Sequence, residues 1–209
     1  MHIAISGNIG SGKTTLCEML ARHYNWKPEF ESVENNPYLK DFYSDMSRWA
    51  FHLQIYFLNS RFNQVNRIQQ ADETIVQDRT IYEDAYIFAA NLHDSGHIND
   101  RDYQSYLNIF ESMIKFVQPP DLLIYLKADM PKLVDQIQKR GRDFEDAIQL
   151  EYLKNLGIYY EDWISSYSEG PLLTIDVNNL DFVSNIEDFS SILEKIDVEL
   201  FGLFSSSSV

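Results

Sequence analysis

The sequence is poor in cysteine and in positive charge. Cys17 is its single cysteine among 209 residues, so no internal disulfide can form, and no Cys or His cluster suggests a metal site. Lys and Arg number 17 against 32 Asp and Glu, a formal net charge of −15. That balance argues against a broad nucleic-acid surface; an anionic ligand must be met by a few local groups. No apolar run reaches the ~18 residues of a membrane span, and the first strand begins at once without a signal peptide. A cytoplasmic protein without membrane attachment is expected. Proline is scarce at 6 residues and glycine at 8, and no low-complexity linker or repeat divides the chain. One domain over residues 1–204 is expected, with 205–209 a frayed tail. The hydrophobic content of 44% suffices for a full core.

Three of the few glycines fall together, in Gly7-Asn8-Ile9-Gly10-Ser11-Gly12-Lys13-Thr14, followed by Thr15. This fits G-x-x-x-x-G-K-[ST], a phosphate-binding loop. The bare pattern arises by chance in roughly one chain of this length in a hundred. Its context strengthens it: an apolar run, Met1–Ser6, precedes it, and a helical stretch, Thr15–Tyr24, follows. Glycines let the backbone curl with its N–H groups aimed at anionic oxygens, at a helix N-terminus that favours negative charge. Lys13 adds a point charge, and the Thr14 hydroxyl suits Mg²⁺ held by phosphates.

Short apolar runs at Ile3–Ser6, Pro28–Val33, Thr74–Gln77, Leu122–Lys127 and Leu172–Val177 read as strands. Helical stretches separate them, so the chain is expected to form an α/β fold with a five-stranded parallel sheet flanked by helices. Asn36-Pro37 is suited to start a helix. A long helix is expected from about Ser47 to Asp72, apolar nearly all round in its first half. Further helices are expected at Glu83–Leu92, Asp100–Val117, Met130–Lys139, Ala147–Tyr167 and Ile186–Phe201. Cys17 reads as a small core residue, and the five histidines show no ligand spacing.

In such sheets ligands bind beyond the carboxyl ends of the strands. The second strand end delivers Glu31, a candidate general base for a neutral alcohol that accepts a phosphoryl group; nearby Glu34 reads as a surface charge. The third delivers Asp78-Arg79, with Asp78 suited to Mg²⁺ or its water and Arg79 to the acceptor oxygen and the transferred group. Gln54 and Arg61 lie two turns apart on one helix face. Gln54 stands in an apolar stretch, where a buried amide needs partners; it can pair with an adenine edge or bond to backbone. Arg140 and Arg142 flank Gly141 and can close over transferring phosphates, or form a solvated basic turn.

With these residues in place the sequence resembles the deoxyribonucleoside kinases, a family of deoxycytidine, deoxyguanosine and bacterial deoxyadenosine kinases. The matching segments are Gly7–Thr15, Glu31-Ser32-Val33, Arg48–Arg61, Asp78–Asn91 and Arg140–Glu145. The resemblance implies a P-loop NTPase-type three-layer fold with a short arginine lid. It implies that ATP with Mg²⁺ phosphorylates the 5′-hydroxyl of a deoxyribonucleoside. Glu31 looks like the base that deprotonates that hydroxyl, and Gln54 like the amide that reads the nucleobase. Arg61 and Asp84 are similar to the pair that shapes the base pocket; Trp49, Phe88 and Phe110 resemble its apolar walls. Tyr43 and Glu145 look like the groups that hold the 3′-hydroxyl, with Tyr43 crowding a 2′ position. Arg140 and Arg142 look like the lid arginines. The family is usually a homodimer joined through helices like the long one. Ser32 stands where the family often has proline, and Gln136 where the lid helix often carries arginine. Asp78 stands where several animal members have glutamate.

The segments Asn35-Asn36-Pro37-Tyr38-Leu39 and Phe51-His52-Leu53-Gln54 look most like the deoxyadenosine-type members, which favours deoxyadenosine over deoxycytidine and deoxyguanosine. A nucleoside monophosphate kinase such as thymidylate kinase is the alternative among enzymes. It would need extra cations on the acceptor side, where this chain offers Glu31, Tyr43, Gln54 and Glu145. A nucleotide-dependent switch or binding module is the other alternative, without support from an Asn-Lys-x-Asp motif.

Overall fold

A computed structural model of the chain describes residues 1–30, 36–141 and 148–202. The strands β1 (His2–Gly7), β2 (Lys27–Glu29), β3 (Ile75–Asp78), β4 (Leu122–Lys127) and β5 (Leu172–Asp176) form one sheet. Every pairing is parallel, in the order β2-β3-β1-β4-β5. Strands β1, β3 and β4 are buried almost end to end because both faces of the sheet are covered there, whereas the edge strand β2 is partly exposed. Alternation sorts their side chains: Ala4, Leu123 and Tyr125 face one core, Ile3, Ile5, Leu122, Ile124 and Leu126 the other. Cys17 is fully buried in the second core. Strand β1 lies between β3 and β4, so the order reverses beside it, the position at whose carboxyl end sheets of this kind bind ligands.

Helix α1 (Lys13–Tyr24) follows β1 through the glycine loop. Next come α2 (Leu39–Ser44) and the long α3 (Met46–Gln69), which Asp45 caps by accepting from the Arg48 N–H at 3.1 Å. After β3, α4 (Ile81–Glu83) runs through a π-helical stretch (Asp84–Ala89) into α5 (Ala90–Asp94). The remaining helices are α6 (Asp100–Ile114), α7 (Met130–Arg140), α8 (Leu150–Ser165) and α9 (Ile186–Phe201). Among the described residues no helix is long and apolar enough to cross a membrane.

Several boundaries differ from the sequence expectation. Strand β2 pairs only over Lys27–Glu29, at the sheet edge; residues 31–33 of the expected strand lie outside the described residues. Asn36-Pro37 does not begin a helix directly. The Asn36 carboxamide accepts from the Tyr38 N–H at 2.9 Å, an Asx turn that delays α2 to Leu39. The helix expected from Glu83 begins at Ile81, because Thr80 and Glu83 form a reciprocal capping box. The expected tail, 205–209, also lies outside the described residues.

Helix α7 backs the glycine loop. A Cβ on Gly10, at φ +87°, would stand 2.7 Å from the Leu133 carbonyl and 2.9 Å from the Ile137 side chain. Gly10→Ala therefore combines left-handed strain with a backbone clash. It should destabilise the fold by about 2 kcal/mol, read as a lower urea midpoint at constant m-value.

Candidate active site

The carboxyl end of β1 supplies the loop Gly7–Thr14. Gly12 caps α1 in the left-handed region, φ 94°, with no side-chain hydrogen bond to the first turn. Gly12 thus places no capping side chain over the first turn of α1, which suits an anion site at a helix N-terminus. Asn8 braces the loop from two sides. Its side-chain amide donates to the Leu153 carbonyl of α8 at 3.0 Å, and its oxygen accepts from the Ile9 N–H at 2.8 Å. The Asn8 carbonyl accepts from the Ser11 N–H at 3.1 Å and from Lys13 Nζ at 3.0 Å. Lys13 is buried, so its ammonium is held inside the loop rather than in solvent. The Phe182 ring, after β5, packs against Gly12. Thr15 lies half-buried one residue further along α1.

Strand β3 runs beside β1 in register Ile5 to Asp78, which brings the ends of the two strands together. The Thr14 hydroxyl donates to Asp78 Oδ2 at 2.5 Å. Asp78 Oδ1 is buried and has no hydrogen-bond partner among the described residues. A hydroxyl and a carboxylate thus meet beside the phosphate loop. No group of three metal-ligating His, Cys, Asp or Glu occurs among the described residues. Two oxygen groups beside a phosphate site suit Mg²⁺, which keeps waters and takes further ligands from phosphates.

Arg79 follows at φ 72°, left-handed for a non-glycine residue. Its N–H donates to the Ile5 carbonyl at 2.9 Å, which continues the sheet pairing past the strand end. Such a conformation costs about 1–3 kcal/mol and survives only where the surroundings enforce it. The guanidinium stacks over the Phe88 ring, 4.4 Å from its centroid, and lies 3.8 Å from Glu83 Oε1.

Helix α3 packs against the π-helical stretch, and aromatic side chains of both join one apolar cluster. Gln54 is buried, and its Oε1 has no hydrogen-bond partner among the described residues. Arg61 Nε lies 3.5 Å from Asp84 Oδ2, both buried, and Arg61 Nη1 donates to the Asp78 carbonyl and to Gln64 Oε1, each at 3.1 Å. Arg61 therefore ties α3 and Asp84 to the strand end that carries Asp78 and Arg79. Trp49, Phe88 and Phe110 belong to one apolar cluster with Tyr106. The π-helical stretch buries Asp84 and Phe88 together, one against Arg61 and one beneath Arg79; such turns recur at functional sites. Tyr43 is half-buried against Phe42.

Burial pushes the Tyr152 hydroxyl well above its usual range, with Tyr43 adding to the rise and Arg79 opposing it. Tyr152 therefore lies within electrostatic reach of both. Arg140 is exposed at the end of α7, where Gly141 at φ 61° terminates the helix as its sequence position suggested. Glu31, Glu34, Arg142 and Glu145 lie outside the described residues.

Sequence reasoning missed Glu83, Tyr152, Tyr160 and Phe182. Glu83 is fully buried; its Oε2 accepts from the Thr80 N–H at 2.8 Å and its Oε1 from the Tyr160 hydroxyl at 2.9 Å. The Thr80-x-x-Glu83 spacing is a readable capping signature. The tyrosines and Phe182 carried no local signal beyond being aromatic.

The family model for deoxynucleoside kinase matches residues 3–201. The chain is 38% identical to deoxyadenosine/deoxycytidine kinase of Bacillus subtilis, covering 93% of this chain and 90% of that protein. It is 46% identical to deoxyadenosine kinase of Dictyostelium discoideum, covering 80% and 68% respectively. The structure of deoxyadenosine kinase from M. mycoides with products dCMP and a flexible dCDP bound matches with a TM-score of 0.85 at 29% identity, over 94% of this chain and 99% of that one. A strand–loop–helix phosphate site, an acidic-Arg pair at the next strand end and a match over nearly the whole length lead to one conclusion: the chain belongs to the deoxynucleoside kinase family.

Proposed function

We propose that the protein transfers the γ-phosphoryl group of ATP to the 5′-hydroxyl of a deoxyribonucleoside, with deoxyadenosine the preferred acceptor. The observation that carries this reading is Gln54, a neutral amide buried on α3 with an oxygen that lacks a partner among the described residues. In this reading Gln54 reads the base, and Trp49, Phe88 and Phe110 of the apolar cluster are the walls around it. The Arg61 cation beside it faces Asp84. A monophosphate acceptor needs cations around its phosphate; a neutral nucleoside needs an apolar slot with a few hydrogen-bonding groups. An amide offers the adjacent donor and acceptor that an adenine edge requires.

In this reading the loop N–H groups and Lys13 bind the donor phosphates. Thr14 and Asp78 would hold the Mg²⁺ that accompanies ATP, and the ion supplies charge neutralisation on the phosphate oxygens. Glu31 takes the proton of the 5′-hydroxyl as the oxygen attacks. Arg79, Arg140 and Arg142 stabilise charge on the transferring group. Tyr43 and Glu145 hold the 3′-hydroxyl, with Tyr43 closing the space that a ribose 2′-hydroxyl would occupy. A cytoplasmic homodimer is the expected form, and a monomeric mass by light scattering at micromolar concentration would remove the dimer.

Two results test the assignment. Deoxyadenosine should be consumed far faster than its 5′-monophosphate in an ATP-coupled assay; turnover with the monophosphate alone would move the chain to the monophosphate kinases. Gln54→Ala should lower kcat/KM for deoxyadenosine about a hundredfold, the cost of leaving a buried base edge unpaired. An unchanged ratio between deoxyadenosine and deoxyguanosine in that variant would remove Gln54 as the reader.

A further inference from the structure

We infer that Glu83 and Tyr160 form a buried brace that sets the direction of the Arg79 guanidinium, which makes Glu83 a positioning residue for phosphoryl transfer. The inference rests on the role given to Arg79 above.

Glu83 is fully buried. A helix cap alone does not require this. The Oε2 atom completes the capping box, accepting from the Thr80 N–H at 2.8 Å and the Thr80 hydroxyl at 3.1 Å. A carboxylate serving only the cap would leave its other oxygen to solvent. Here Oε1 turns inward, accepts from the Tyr160 hydroxyl at 2.9 Å and lies 3.8 Å from Arg79 Nε. A buried carboxylate is tolerated when hydrogen bonds and a cation compensate it. Three hydrogen bonds hold this one, and the nearby cation is Arg79.

Arg79 benefits in turn. Its backbone is fixed by the left-handed φ and the bond to Ile5, but these do not direct the long side chain. The Phe88 ring supports one face of the guanidinium at 4.4 Å, and Glu83 sets a charge beside Nε. Tyr160 is itself immobilised, fully buried on α8 and stacked at 19° to the Tyr125 ring of β4, 6.0 Å between centroids. Helix α8 also anchors the phosphate loop through the Asn8 bond to the Leu153 carbonyl. One helix thereby holds the donor loop and the Arg79 brace in a common frame.

The test is a double-mutant cycle in the full-length enzyme, with ATP, Mg²⁺ and the deoxynucleoside that the unmodified protein turns over fastest. Glu83→Gln, which keeps the volume, should lower kcat about 10- to 100-fold with both KM values changed less than about twofold, as expected for a misaimed group. Tyr160→Phe should lower kcat about 3- to 10-fold, the effect of one hydrogen bond. Both losses should vanish in an Arg79→Ala background. Losses of equal size in both backgrounds, or an unchanged kcat in Glu83→Gln, would overturn the brace and leave Glu83 a cap. Should Glu83→Gln fail to fold, Tyr160→Phe in the two backgrounds decides alone. A fully active Arg79→Ala enzyme would overturn the role of Arg79 together with the brace; an impaired Arg79→Ala enzyme with additive losses overturns the brace only.

Discussion

Lys13→Ala should lower kcat about a thousandfold, the scale on which removing one preorganised charge donor acts. The side chain is buried, and its ammonium donates to the Asn8 carbonyl at 3.0 Å within the glycine loop. A cation held this way has surrendered much of its hydration before the donor arrives, so its attraction to phosphate oxygens is little screened. The neighbouring residues should be little affected, since the loop is also held by the Asn8 side chain bonded to the Leu153 carbonyl of α8 and by Phe182 against Gly12. An unchanged melting temperature would accompany the loss. Lys13→Arg should not restore activity, because a planar fork cannot replace a point charge in so closed a loop. Turnover within threefold of the unmodified enzyme would remove Lys13 from the donor site.

Glu31→Gln should lower kcat by about a thousandfold while the KM for deoxyadenosine changes little. The span expected of a general base is about 10²–10⁴. The residue follows β2 in the sequence, and the neighbouring strand β3 ends in Asp78, with Arg79 next. A hydroxyl attacking phosphorus becomes acidic only as the bond forms, so the base acts in the transition state and contributes little to binding. That asymmetry separates a base from a ligand for the nucleoside: loss of a binding contact would raise KM instead. Near-normal kcat in this variant would remove Glu31 as base and shift proton acceptance to solvent or to the phosphate itself.

The parts of the site legible in the sequence are those coded by local spacing. The glycine loop sits between an apolar run and a helix, and the structure has β1, Gly7–Gly12 and α1 in that order. Asp78-Arg79 ends an apolar run, and both residues stand at the end of β3. Gln54 was conspicuous as an amide in an apolar stretch, and it is buried with an oxygen lacking a partner among the described residues. Arg61 and Asp84, 23 positions apart, meet as a buried pair.

What was not legible depends on contacts distant in the chain. Asp84–Ala89 reads as ordinary α-helix by periodicity; the structure instead has a π-helical stretch with Asp84 buried against Arg61 and Phe88 beneath Arg79. Glu83 looks like any first-turn glutamate, and only Tyr160, 77 positions later, reveals that its second oxygen is buried. Tyr152 is one of 13 tyrosines, and nothing in its surroundings along the chain marks it as within electrostatic reach of Tyr43 and Arg79. The Asx turn at Asn36 likewise overrode a proline that suits a first helical turn.

The most direct measurement is the fate of the γ-phosphoryl group of labelled ATP when deoxyadenosine, adenosine and deoxyadenosine 5′-monophosphate are offered separately with Mg²⁺. The label is expected in deoxyadenosine 5′-monophosphate, with little transfer to adenosine and none to the monophosphate. Label passing only to the monophosphate acceptor, giving the diphosphate, would contradict the proposed neutral acceptor and the proposed roles of Gln54 as reader and Glu31 as base.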